Sequence, residues 1–216
     1  MDRRKKSGDQ APYHHGALRS ALIEATESLL AQRGLEGYTL REAARQVGVS
    51  PAAALHHFGS VAGLLTEVAI LGFEELARFL HEGGQAGDTP TARLHGKGIG
   101  YVRFALAYPA RFLLMFRKDL LAPQPRLELA GRAAYAELEE GVRDYLGRRS
   151  VEDLGPSDQA LLLGAWSTVH GFAHLALEGK FGPPQADPST FVKQVLPEML
   201  KRLFPAPSPR KRPRAH

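Results

Sequence analysis

His170 and His174 stand four residues apart, with Glu178 one turn further on. On a helix all three would lie along one face. That spacing could present two imidazoles and a carboxylate to a divalent metal. His170 also follows Trp166 by four residues, so the two share a helix face. The alternative is then a histidine offering its hydrogen bond inside an apolar pocket, with no metal and no cofactor, and this second reading is adopted. Other chemistries find few residues. The chain has no cysteine, which removes thiolate nucleophiles, thiolate metal sites and disulfides. There is no Gly-rich phosphate loop and no Gly-x-Ser-x-Gly elbow. Glu139 and Glu140 sit in a long amphipathic segment and read as solvated charges rather than an acid–base pair. The sequence therefore points away from an enzyme.

The elements that would position these residues are helical. Hydrophobic residues make up 44% of the 216 and charged residues 24%, ordinary values for a globular protein with an extensive core. Apolar positions recur at three and four residues from Leu18 through Leu22, Ala25 and Leu29, and Gly34 closes this helix. A long helix follows at 61–80, then a Gly-rich linker at 82–88. Further helices are expected at 91–107, 109–116, 126–148, 158–178 and 189–204, with prolines at or between their starts. No strand and no internal repeat is evident, and no apolar stretch is long enough to cross a membrane. Met1 to Gln10 is basic and polar, with no apolar run behind it to act as a signal, so a cytoplasmic protein is expected.

The net charge of +5 is unevenly placed. Residues 1–60 carry eight Lys or Arg against six Asp or Glu, and the last seven residues add four basic groups. Basic ends on a neutral body suit a polyanion. The expected organisation is a disordered basic arm (1–12, with Arg3, Arg4, Lys5 and Lys6), a DNA-binding unit (13–60), a larger helical body (61–204) and a disordered basic tail (205–216).

The segment from Thr39 to Ser60 is the most heavily punctuated. Thr39 and Glu42 have the spacing of a capping box. Leu40, Ala43, Ala44 and Val47 mark one apolar face, Gly48 breaks the helix, and Val49 is placed to wedge between two helices. Ser50 is a favoured N-cap, and Pro51 follows at the first helical position, where its missing N–H costs nothing. Two short helices joined by Gly48-Val49-Ser50, after a third, make a helix-turn-helix, whose second helix can enter a DNA major groove.

With Tyr13-His14-His15-Gly16-Ala17-Leu18-Arg19 before it and His57-Phe58-Gly59-Ser60 and Gly63-Leu64-Leu65 after it, residues 13–80 resemble the TetR family of transcriptional regulators. Trp166, His170 and Gly171 are similar to the Trp-His-Gly signature of one C-terminal domain type in that family. The resemblance implies an all-α fold: a three-helix helix-turn-helix domain followed by a helical ligand-sensing and dimerisation domain. It implies a homodimer packed through 158–178 and 189–204, and a repressor that a small-molecule effector releases from a palindromic operator in double-stranded DNA. By the same resemblance the DNA-binding residues are Arg41, Ser50, Ala52, Ala53, His56 and His57: Arg41 reaches DNA, Ser50 opens the recognition helix, and Ala52 and Ala53 face base edges. There they offer at most apolar contact to thymine methyls. His57, with His56 beside it, approaches the backbone. Two positions depart from the family: Leu55 stands where a tyrosine is usual and Val61 where a lysine is usual, and both changes weaken a phosphate clamp. The alternative function is a dimeric ligand-binding or protein-interaction module whose helix-turn-helix no longer binds DNA. For the ligand pocket the sequence nominates Tyr101, Phe104, Phe112, Met115, Phe116, Trp166 and His170, an apolar set with a few polar groups.

Overall fold

The structure is a computed structural model that describes residues 11–181 and 188–206. Among these residues all regular structure is helical: α1 (Ala11–Arg33), α2 (Leu40–Val47), α3 (Pro51–Phe58), α4 (Val61–Gln85), α5 (Pro90–Ala107), α6 (Pro109–Met115), α7 (Pro125–Leu146), α8 (Pro156–Leu177) and α9 (Pro188–Leu203), with a short 3-10 turn at Val151–Asp153. The Arg3–Lys6 arm and the tail beyond Ala206 lie outside the described residues. Pro205, assigned to that tail, accepts a 2.7 Å hydrogen bond on its carbonyl from the Tyr145 hydroxyl.

Local signals set most boundaries. Thr39, Ser50, Ser60 and Thr89 each accept a backbone N–H three residues on, at 3.4, 3.1, 2.9 and 3.1 Å, and so open α2, α3, α4 and α5. Gly48 closes α2 at φ 78°, a left-handed conformation that only glycine adopts without cost. Asp158 receives Arg148 at 3.0 Å on each carboxylate oxygen and the Gly155 N–H at 3.3 Å, which fixes the start of α8.

Several expectations change. The first helix begins at Ala11 rather than near Leu18, because Pro12 occupies the first turn, where a missing N–H is harmless. The Thr39 box is half formed: Glu42 turns its carboxylate to Arg33 and Arg45 instead of back to the cap. The Gly-rich stretch expected as a linker continues α4 to Gln85. A Cβ on Gly83 would lie 2.2 Å from the Gly96 carbonyl oxygen, and one on Gly100 2.3 Å from that of Phe79. These glycines serve a close crossing of α4 and α5, and their packing outweighs a helix cost of about 1 kcal/mol each. By length and composition α8 could cross a membrane, contrary to the sequence reading. Its Leu162, Ala165, Val169 and Phe172 instead pack into the main core.

Two cores result. The larger gathers residues of α4 to α9, including Phe104, Phe112, Val142, Leu196 and Leu200. A smaller one joins Ile23 and Leu30 of α1 to Leu64, Leu65 and Val68 of α4 and Leu114 of α6. Thus α4 belongs to both the helix-turn-helix and the body.

Candidate functional site

The first surface is that of α2, α3 and the start of α4. Leu22 of α1, Ala44 of α2 and Ala54 of α3 form its small core, with Val49 packed against them. A Cβ on Gly63 would lie 2.1 Å from the Phe58 carbonyl oxygen, so glycine there lets the end of α3 seat on α4. Arg41, Ser50, Ala52 and His56 are exposed, and Ala53 and His57 are half-buried. The Ser50 hydroxyl is taken up as the cap of α3. The His56 and His57 rings lie 6.0 Å apart, edge to face. Leu55 and Val61 are 38% and 40% exposed, so Leu55 on α3 and Val61 at the start of α4 place apolar side chains in water. Arg45, which sequence reasoning passed over, is exposed on the same helix as Arg41 and is linked to Glu42 at 3.4 Å.

Ion pairs tie this unit to the body. Glu67 of α4 receives Arg19 of α1 at 2.8 Å and Arg126 of α7 at 3.1 Å. Glu27 of α1 receives Arg111 of α6. Arg19 also lies over the Phe58 ring, 5.1 Å from its centroid.

The second feature is a cavity of about 260 Å³ walled by α4, α5, α7, α8 and α9 and the end of α6. Tyr101, Met115, Phe116 and Trp166 line it, as do Leu76, Leu80, Leu94, Leu138, Val169, Leu200 and Phe204. The size is near the lower end of small-molecule pockets, roughly 300–1,000 Å³. Two nominated aromatics do not reach the wall. Phe104 is fully buried against Phe79 and Tyr108, with ring centroids at 6.0 and 5.8 Å. Phe112 is fully buried behind the wall, among Tyr101, His170 and His174. His170 stands behind Tyr101: its Nδ1 lies 2.7 Å from the Tyr101 hydroxyl, which also accepts Trp166 Nε1–H at 3.4 Å. Burial pushes the Tyr101 phenol well above its ordinary value. Burial first, and the neighbouring His174 second, lower the His170 imidazole. The two histidine rings stack edge to face at 4.7 Å, and among the described residues no three His, Asp or Glu side chains converge as metal ligands.

Sequence reasoning missed Lys97. It lies mid-α5 with a side chain only 7% exposed, and its ammonium pairs with Glu137 and, at 3.3 Å, with Glu140 of α7. Glu140 is therefore engaged rather than merely solvated. The Lys97 stem passes between Gly84 and Gly141, where a Cβ would lie 3.0 and 2.9 Å from its carbons. The alternation Gly96-Lys97-Gly98-Ile99-Gly100 was the visible signal, a charge flanked by glycines inside a helix.

Comparisons with known proteins agree with this architecture. Residues 22–68 match the family model of bacterial regulatory proteins of the tetR family. Residues 94–199 match the model of the tetracyclin repressor-like C-terminal domain. No curated protein matches the chain in sequence. Among solved structures, a protein of unknown function from Rhodococcus sp. RHA1 is 31% identical; the match covers 90% of this chain and 100% of that one, with a TM-score of 0.69. The TetR family transcriptional regulator PfmR from Thermus thermophilus is 19% identical over 85% of this chain and 96% of its own, with a TM-score of 0.62. A tetR family regulatory protein from Rhodococcus RHA1 is 16% identical over 88% of this chain and 98% of its own, with a TM-score of 0.66. The last two likenesses are of fold.

Proposed function

The chain belongs to the TetR family of bacterial transcriptional regulators, and from that premise we propose that it is a cytoplasmic homodimeric repressor released from a palindromic operator by a small-molecule effector. The observation that carries this reading is the double membership of α4. It shares one core with the helix-turn-helix, and its Leu76 and Leu80 line the cavity. An occupant that repacks the cavity acts on α4 directly, and Glu67 and Glu27 give α7 and α6 a hold on α1 and α4. Such a ligand shifts the balance only by its differential affinity for the two states.

The outer face of α8 supports dimerisation. Among the described residues, Gly164 and Gly171 have no neighbour beyond their own helix within 4 Å of a Cβ built on them. Ala160, Gly164 and Ser167 are exposed on this side, with Leu163 and Leu175 51% and 45% exposed beside them. Small residues flanked by leucines suit close packing against a second copy, and α9 adds exposed Val195 and Leu203. In the dimer two recognition helices about one DNA turn apart, roughly 34–36 Å, would read two half-sites.

The test is fluorescence anisotropy of the protein on DNA from upstream of its own gene, against random DNA, at two salt concentrations. Specific binding that weakens steeply with salt is expected. No preference across a broad set of upstream fragments would favour the second reading, a ligand-binding module with a degenerate helix-turn-helix. The exposed Leu55 and Val61 motivate that reading.

A further inference from the structure

The basic side chains of the cavity interior, Lys97 and His95, are already engaged within the protein, which limits what can occupy it. This inference rests on reading the cavity as the effector site. Lys97 lends its aliphatic stem to the wall while its ammonium turns to Glu137 and Glu140. His95 Nε2 lies 2.8 Å from the Phe204 carbonyl oxygen. Among the described residues an ionised ligand group therefore finds no uncommitted counter-charge in the interior, and it would bear the full desolvation cost of burial. The same cost keeps Tyr101 protonated and disfavours the charged form of His170.

Tyr101 retains one unused hydrogen-bonding position. Its hydroxyl has one hydrogen and two lone pairs. Trp166 Nε1–H and His170 Nδ1 take two of the three. The third is a lone pair or the O–H, according to the His170 tautomer, so it can meet a hydroxyl or a carbonyl. Flat rings frame this point: Trp166 lies 6.3 Å from Phe116 and 6.0 Å from Tyr135, centroid to centroid.

We infer that the cavity takes an uncharged, flat, largely apolar molecule whose single hydroxyl or carbonyl group is set at Tyr101. The competing class is an amphiphilic acid with its head at the rim, where Lys118 is exposed and has no ion pair among the described residues.

Trp166 is the one tryptophan of the chain and lines the cavity, so its emission reports occupancy without DNA. The full-length protein is titrated with 4-propylphenol, propylbenzene and 4-propylbenzoate at neutral pH, with excitation at the red edge of tryptophan absorption. The phenol is expected to bind at least about tenfold more tightly than the benzoate. In Tyr101→Phe, with helical content checked by circular dichroism, its advantage over propylbenzene should fall about three- to tenfold, the value of one hydrogen bond. Benzoate binding as tightly as the phenol, or a phenol no better than propylbenzene in the unaltered protein, overturns the inference and leaves the effector cavity standing. No emission change with any of the three overturns both.

Discussion

Arg111 of α6 and Glu27 of α1 form a partly buried pair in which Nη2 donates to Oε2 at 2.8 Å, while Nε sits 2.7 Å from Oε1 but out of line for a hydrogen bond. α6 ends in Met115, which lines the cavity, so the pair joins a cavity-bearing helix to the first helix of the DNA-binding unit. Glu27→Gln keeps the shape and removes the charge. Operator affinity by anisotropy is expected to fall about three- to tenfold. Amide exchange should quicken in α1 and stay unchanged in α8. Unchanged affinity together with unchanged exchange would remove the pair from the coupling route.

Leu55 and Val61 test the DNA surface. Leu55→Tyr with Val61→Lys restores a hydroxyl and a charge at exposed positions, so the fold should tolerate both. Operator affinity is expected to rise. The slope of log affinity against log salt should steepen by about 0.9 for the added phosphate contact. An unaltered slope would show that residue 61 does not reach a phosphate.

Gly164 offers a clean test of the proposed dimer. Nothing among the described residues opposes a side chain there, and any residue but proline raises helix propensity over glycine by up to about 1 kcal/mol. Gly164→Arg should therefore spare the protomer while placing a charge in the α8 face. Light scattering is expected to give half the mass of the unaltered protein at equal helical content. A persistent dimer would move the interface elsewhere.

His170 makes stability depend on pH. Its folded value lies below that of the unfolded chain, so the unfolded state takes up the proton first. Its contribution is intact above the unfolded value of about 6.5 and is lost as pH falls towards the lower folded value. The melting temperature should drop between pH 7.5 and 5.5, and His170→Gln should flatten that part of the curve. An equal drop in the variant would assign it to other groups.

The crossing of α4 and α5 predicts a large effect from a small change. Gly100→Val would drive carbon into the Phe79 carbonyl. A loss of about 3 kcal/mol, the upper end for overpacking, is expected against backbone that cannot yield, read as a fall in the urea midpoint.

The parts of this fold that were legible in the sequence are those specified by neighbouring residues. Ser50-Pro51 and the Gly48 turn announce α3 because a cap needs only the next three residues. The Gly83-Gly84 pair misled because glycine ends helices and also permits close approach; Gly96, thirteen positions later, decides which applies. The cavity was half legible for the same reason. Aromatic residues at helical spacing name a buried face, and Tyr101, Met115, Phe116 and Trp166 do line the space. Which ring meets the space and which meets another ring depends on helices distant in sequence, so Phe104 and Phe112 fell behind the wall. Lys97 escaped because its partners lie 40 and 43 residues away.

The glycine crossing also fixes the mechanics. With backbone seated on backbone at Gly83 and Gly96, α4 has no room to slip lengthwise past α5 and is left to pivot. From Gly83 to Val61 the helix is a rigid arm of about 33 Å at 1.5 Å per residue. A swing of about 5° at that fulcrum carries the far end roughly 3 Å, most of the spacing between neighbouring base pairs. In the proposed repressor, a displacement too small to open the cavity visibly would thereby be magnified into a misfit of reading heads on the duplex.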